Sequence, residues 1–224
     1  MIDLSVVIFS YNRPQCLGRT VKDFVDRCKF PKDRTEIIIN DDGSNRETLD
    51  YIVELRNDYP EITRINTGEN LGMGRSFNNG IRSAKGRFVL HLQDDWSLVG
   101  DDGFVEKSIT ILDADSNVAM VRVGPLGNIY TPFRSDGMTP ATYGTVDSID
   151  LSKDYYLYSD NPHIKRRDFH DKFGYYREGK SCEATETDMC RRFNAQSELR
   201  IVWLGQYFKH IGRVSTMGRI WSDA

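Results

Sequence analysis

Long apolar runs are missing from this 224-residue chain; none approaches the roughly 18 residues that a membrane-spanning helix needs. Met1-Ile2-Asp3-Leu4 leads straight into a β-branched stretch, with no basic region and no apolar leader, so no secretory signal and a cytoplasmic location are expected. Cysteine is sparse. Cys16, Cys28, Cys182 and Cys190 form no CxxC pair and fit no zinc ribbon or finger, which leaves buried or idle thiols in a reducing compartment. An excess of either charge is absent too. The chain sets 30 Lys and Arg against 33 Asp and Glu, so no general attraction to nucleic acid or anionic membrane is expected. Without internal repeats, low-complexity tracts or linkers, it is read as one domain spanning residues 1–224.

What is present is an alternation of strand and helix signals. Leu4 to Phe9 is a short β-branched run with the character of a buried strand. Pro14 opens a helix, where its missing N–H costs nothing, and Leu17, Val21, Phe24, Val25 and Cys28 share one face of it. Glu36 to Asn40 is a second strand. Ser44 and Glu47 form a capping box ahead of Leu49, Ile52, Val53 and Arg56 at helical spacing. Ile62 to Ile65 is a weaker third strand, Met73, Phe77, Ile81 and Ala84 mark a third helix, and Arg87 to Leu92 is a fourth strand. Such a series predicts an α/β fold with a mostly parallel sheet and helices on both faces. Further on, a helix is expected over 102–113, a strand over 118–123, loops with short strands over 124–160, a helix over 185–195, and strands at 200–204 and 207–211.

Ligands on parallel sheets bind beyond the carboxyl ends of the strands. Polar clusters fall at those ends: Ser10-Tyr11-Asn12, Asp41-Asp42-Gly43-Ser44 and Gln93-Asp94-Asp95-Trp96. The adjacent carboxylates of Asp94 and Asp95 repel each other unless a cation compensates, and hard oxygen ligands suit Mg²⁺ or Mn²⁺ holding a diphosphate; a solvated acidic turn is the plainer alternative. A carboxylate at 41–42 can accept from a base N–H or a ribose hydroxyl, or simply close a turn. Tyr11 can lie flat on a nucleobase or anchor its loop. Gly72 and Gly74 fall short of a dinucleotide fingerprint, because Phe77 fills the third glycine position and the motif follows the third strand. That argues against a nicotinamide or flavin oxidoreductase. The absence of glycine in Ser10-Tyr11-Asn12-Arg13-Pro14 argues against a sugar-1-phosphate nucleotidyltransferase.

Taken jointly, VVIFSYNRP (6–14), INDDGS (39–44), NLGMGRSFNNGIRSAKGRFVLHLQDD (70–95) and ETDMCRR (186–192) resemble glycosyltransferase family 2, with HIGRVS (210–215) a looser match. The resemblance implies a GT-A fold: a Rossmann-like, mostly parallel central sheet flanked by helices, with a smaller mixed region on the acceptor side. Residues 1–96 would then form the nucleotide-sugar half and 97–224 the acceptor half. It implies an inverting, hexosyltransferase-like enzyme using Mn²⁺ or Mg²⁺ and a nucleotide-sugar donor, most often a UDP-sugar. Tyr11 matches the residue that stacks on the base, with Ser10 beside it. Asp42 matches the carboxylate that reads the base, with Asp41 adjacent. Arg75 and Asn78 sit where the family has a polar helix face near the nucleotide. Asp95 matches the last acid of the metal motif, Asp94 the contact to ribose or metal, and His210 a late metal-completing histidine. Gln93 stands where an acid is usual, which leaves fewer charges for the metal. Glu186, two residues before Asp188, matches the catalytic base, with Glu183 as its competitor one turn earlier. A binding domain that has lost catalysis is the alternative, and the presence of Glu186 argues for the enzyme.

The expected acceptor is a saccharide or glycan. Residues 163–180 hold six Lys or Arg against three Asp or Glu, and read as an amphipathic helix with Ile164, Phe169 and Phe173 inward. The same cluster suits a polyanionic acceptor such as a lipid phosphate or modified DNA. Stable membrane insertion is not expected.

Overall fold

The computed structural model describes residues 1–125, 158–196 and 199–212. The loops expected over 124–160 lie almost wholly outside these residues, as does the end of the 210–215 segment. The elements are β1 (Leu4–Ser10), α1 (Pro14–Arg27), β2 (Thr35–Asp41), α2 (Arg46–Asp58), β3 (Ile62–Asn66), α3 (Met73–Ser83), β4 (Phe88–Gln93), β5 (Trp96–Leu98), α4 (Phe104–Ala114), β6 (Val118–Arg122), β7 (His163–Arg166), α5 (Phe169–Phe173), α6 (Cys182–Asn194), β8 (Arg200–Trp203) and β9 (Phe208–His210).

Seven strands form one sheet in the order β3-β2-β1-β4-β7-β6-β8, and β5 pairs with β9 in a separate antiparallel ribbon. Within the large sheet only β7 runs against its neighbours. The apolar run in β1 is continuous because alternate side chains enter two different cores. Leu4, Val6 and Ile8 join Leu17, Val21 and Phe24 of α1, Ile52 and Leu55 of α2, and Phe104 and Leu112 of α4. Val7 and Phe9 join Phe77 and Ile81 of α3, Phe169 of α5, and Met189 and Phe193 of α6. Fully burying a side chain of this kind contributes about 1.5–3 kcal/mol. The helices therefore cover both faces, as the alternation requires. Among the described residues no helix is long and apolar enough to cross a membrane.

Four local expectations are corrected. Asn45, not Ser44, caps α2, its side chain accepting from the Thr48 N–H. Val53 points outward on α2, which is anchored by Ile52 and Leu55. The late helix α6 starts at Cys182, because the Ser181 side chain caps it by accepting from the Ala184 N–H. Finally, 163–180 is no amphipathic helix. Its first residues form β7, inserted between β4 and β6, where paired backbone on both sides outweighs the helical spacing of Ile164, Phe169 and Phe173. The basic cluster is dispersed with it. Lys165 is buried, and the Arg166 guanidinium donates to the Leu112 and Asp115 carbonyls at the end of α4 and to the Val118 carbonyl at the start of β6. Lys172 pairs with Asp168, and Arg177 with Asp188.

Candidate active site at the carboxyl edge of the sheet

The register decides which residues meet. Ser10 lies beside Asp41, Phe9 beside Gln93, and His91 beside His163, so β1, β2 and β4 end together where β7 begins. Asp94 and Asp95 follow β4 at this edge and are both buried. The Thr20 hydroxyl of α1 donates to the Asp94 carbonyl. Arg13, just ahead of α1, spans the pair: one guanidinium nitrogen lies 2.6 Å from Asp94 Oδ1 and the other 2.5 Å from Asp95 Oδ2. Pairing of β9 with β5 sets His210 across from Trp96 and brings its Nε2 to 3.1 Å from Asp95 Oδ2. Gly212 lets this approach occur, since a Cβ there would meet Asp95 Oδ2 at 2.7 Å.

The two acids are split in character. Burial pushes the Asp94 carboxyl up to about 7, against the pull of Arg13. Burial would raise Asp95 too, but the His210 hydrogen bond and the Arg13 charge hold it below the ordinary carboxylate value. Among the described residues no three His, Cys, Asp or Glu side chains converge into a metal cage. Asp95 Oδ1 is nevertheless buried without a hydrogen-bond partner. That orphaned oxygen, the Asp94 carboxyl and the His210 imidazole are ligand types that Mn²⁺ or Mg²⁺ accepts when substrate oxygens complete the shell, although the three side chains do not converge on one point while Arg13 bridges the acids. In chemistry, these residues suit such an ion.

Beside the acids, Tyr11 exposes its ring, at 37% one of the few large exposed apolar side chains. Asn12 holds φ +52° and ties the two loops together: its N–H donates to Ser44 Oγ, and its side-chain oxygen accepts from the Asn45 N–H. Asp41 closes a turn, accepting from the Ser44 N–H and hydroxyl. Asp42 is half-buried and accepts from the Leu71 N–H at 3.0 Å, so it also shapes the 70–72 loop; burial raises its carboxyl. Gly43 is required twice over, by φ +73° and by a Cβ that would lie 2.3 Å from the Asn70 nitrogen. On α3, Asn78 is buried and its amide clamps the Tyr176 backbone and Glu178, while the half-exposed Arg75 faces Glu178 at 3.7 Å. Gly74 is a packing glycine: a Cβ would meet the Arg177 carbonyl at 2.2 Å.

Glu186 reaches the same edge from α6. The segment before β7 holds it: the Asp160 N–H lies 3.3 Å and the Ser159 hydroxyl 3.5 Å from its Oε1. Burial raises the Glu186 carboxyl, opposed by the Asp160 N–H and the Arg122 guanidinium. Glu183 is exposed to solvent, and the Asp188 carboxylate is held by Arg177 and Arg192, each at 2.8 Å. Beneath Glu186 lies a buried polar chain that sequence reasoning missed. Lys165 Nζ donates to the Tyr158 hydroxyl, which bonds that of Tyr176, which donates to Asp160 Oδ1 at 2.6 Å. Arg13 lies within the 6–14 stretch but its bridging of the two acids has no sequence signal, and Arg122 and Asp160 carry no local motif; tertiary pairing, which a single sequence does not reveal, places them here.

The Glycosyl transferase family 2 profile matches residues 5–181. A dolichyl-phosphate beta-glucosyltransferase of Trichomonas vaginalis is 33% identical over 124 residues, covering 53% of this chain and 38% of that protein. The chain thus spans well under half the length of the curated relatives it matches. Among solved structures, TarS of Staphylococcus aureus in complex with UDP-GlcNAc superposes with a TM-score of 0.65 at 21% identity, over 92% of this chain and 58% of that one. The mannosyltransferase PcManGT from Pyrobaculum calidifontis, in complex with GDP-Man and Mn²⁺, does so with 0.64 at 15% identity, over 90% and 55%. These neighbours share the mostly parallel sheet flanked by helices. The chain belongs to glycosyl transferase family 2 and has the GT-A fold.

Proposed function

We propose that the chain transfers a hexosyl group from a nucleotide-sugar, with a UDP-sugar favoured, to an acceptor hydroxyl with inversion at the anomeric carbon. The observation that carries this is the meeting at one sheet edge of a buried acid pair with an orphaned Asp95 Oδ1, an exposed Tyr11 and a part-buried Glu186 whose carboxyl is raised. Tyr11 offers its face to the base, and Asp42, with Ser10 and Asp41 behind it, borders the base and ribose. Arg75 is the member of the α3 pair left exposed to the nucleotide, since Asn78 serves the 176–178 segment. Asp94, Asp95 and His210 would hold the divalent ion, which when bound neutralises charge on the leaving diphosphate. Glu186, held by the Asp160 N–H, takes the proton from the attacking hydroxyl. Asp188, tied to Arg177 and Arg192, holds the middle of α6 against the segment before it.

Residues 1–96 would bind the donor and 97–224 the acceptor. A saccharide or glycan acceptor suits this reading, including a lipid-linked one of the kind the names of the relatives describe. A screen of UDP-sugars for UDP release, with and without Mn²⁺, tests it. Release from at least one donor, dependent on Mn²⁺ and giving a product of inverted anomeric configuration, is expected. Retained configuration would rule out single displacement.

A further inference from the structure

We infer that Arg13 is an internal counter-cation that holds the Asp94–Asp95 pair until a divalent ion displaces it, and that Arg13 thereby sets the metal affinity of the site. The inference rests on the metal reading of these acids. Two adjacent buried carboxylates need positive charge close by. Among the described residues, Arg13 is the cation bonded to both of them. Its fork bridges the carboxylates at 2.6 and 2.5 Å, while His210 takes Asp95 Oδ2 from the other side. Asp95 Oδ1 is left buried and unpartnered, with its lone pairs free for an ion. A metal ion held by Asp94 and Asp95 would lie within a few ångströms of the guanidinium that bridges them, where the two positive charges repel each other. Metal entry therefore competes with Arg13 for the pair and favours its moving away. Its side chain, just ahead of α1, is 26% exposed and so not sealed in. The Gln93 departure fits this scheme: with one acid fewer than usual in the motif, a single arginine is enough to compensate the pair.

The test reads metal binding, not turnover. Mn²⁺ alone is titrated into nucleotide-free wild type, Arg13→Lys and Arg13→Gln, with free Mn²⁺ followed by electron paramagnetic resonance. Removing a competing charge a few ångströms from the ligands should tighten binding in Arg13→Gln by about tenfold or more. An ammonium cannot span both carboxylates, so Arg13→Lys should fall between the two. Arg13→Gln should also unfold earlier than wild type without metal and recover with Mn²⁺. Should Arg13→Gln fold poorly, the comparison of Arg13→Lys with wild type carries the same test. Equal or weaker Mn²⁺ binding in the variants, with wild type still binding, overturns the inference and leaves the metal reading standing. No Mn²⁺ binding by any of the three, with UDP present or absent, overturns both.

Discussion

Glu186 can accept a proton only when ionised, and burial raises its carboxyl above the ordinary glutamate value. Turnover should therefore fall as pH falls along an acid limb that lies above the ordinary glutamate value, because protonation removes the base. Glu186→Gln keeps the shape and the bond from the Asp160 N–H but cannot take the proton. Turnover should drop roughly a hundredfold or more with donor binding nearly unchanged. Glu183→Gln, exposed one turn earlier, should leave turnover near wild type; the opposite result would move the base by one turn. At this scale the sequence was informative wherever polar residues end a strand, as at 10–12, 41–44 and 94–95. It was silent on Arg13 and Asp160, whose partners lie 82 residues along the chain at Asp95 and 26 at Glu186. It did not show that the Asn78 amide is held by the Tyr176 backbone.

The strands and helices of the first half were legible because each satisfies its own period: alternate residues of β1 enter two cores, and α1 and α3 bury single faces. The 163–180 segment was not, because its apolar spacing suits a helix while the gap between β4 and β6 demands a strand. That strand carries Lys165 into the core, where burial lowers its ammonium to about 7 while burial raises Asp160 to about 7. A carboxyl raised in the folded state gives stability that is present at low pH and lost as pH rises through its folded value. Asp160→Asn should accordingly flatten the loss of urea stability between the ordinary carboxylate value and about 7. In a double-mutant cycle with Lys165→Met, the two sites should couple by about 1–3 kcal/mol; additive effects would show that the tyrosine chain does not link them. The turn after β2 makes a separate demand. Gly43→Ala places a Cβ against the Asn70 backbone at positive φ, and should cost about 1–3 kcal/mol in urea unfolding while weakening donor binding through Asp42. A neutral substitution there would contradict the close approach.

Across the molecule, a single sheet edge gathers everything proposed for transfer. β1, β2 and β4 deliver the donor-side residues, β9 returns His210, and β7 and α6 bring Glu186 from the other half of the chain. The family match spans both halves, and the fold likeness to TarS and PcManGT covers nine-tenths of the chain or more. What makes this edge a nucleotide-sugar site, in this account, is the acid pair closed by a divalent ion. The most direct test is calorimetric titration of UDP into wild type and Asp95→Ala, each in Mn²⁺ and in EDTA. The account predicts clear binding by wild type in Mn²⁺ and affinity at least about tenfold weaker in the other three cases, because the diphosphate then lacks its counter-charge. Equal UDP affinity in all four would contradict it.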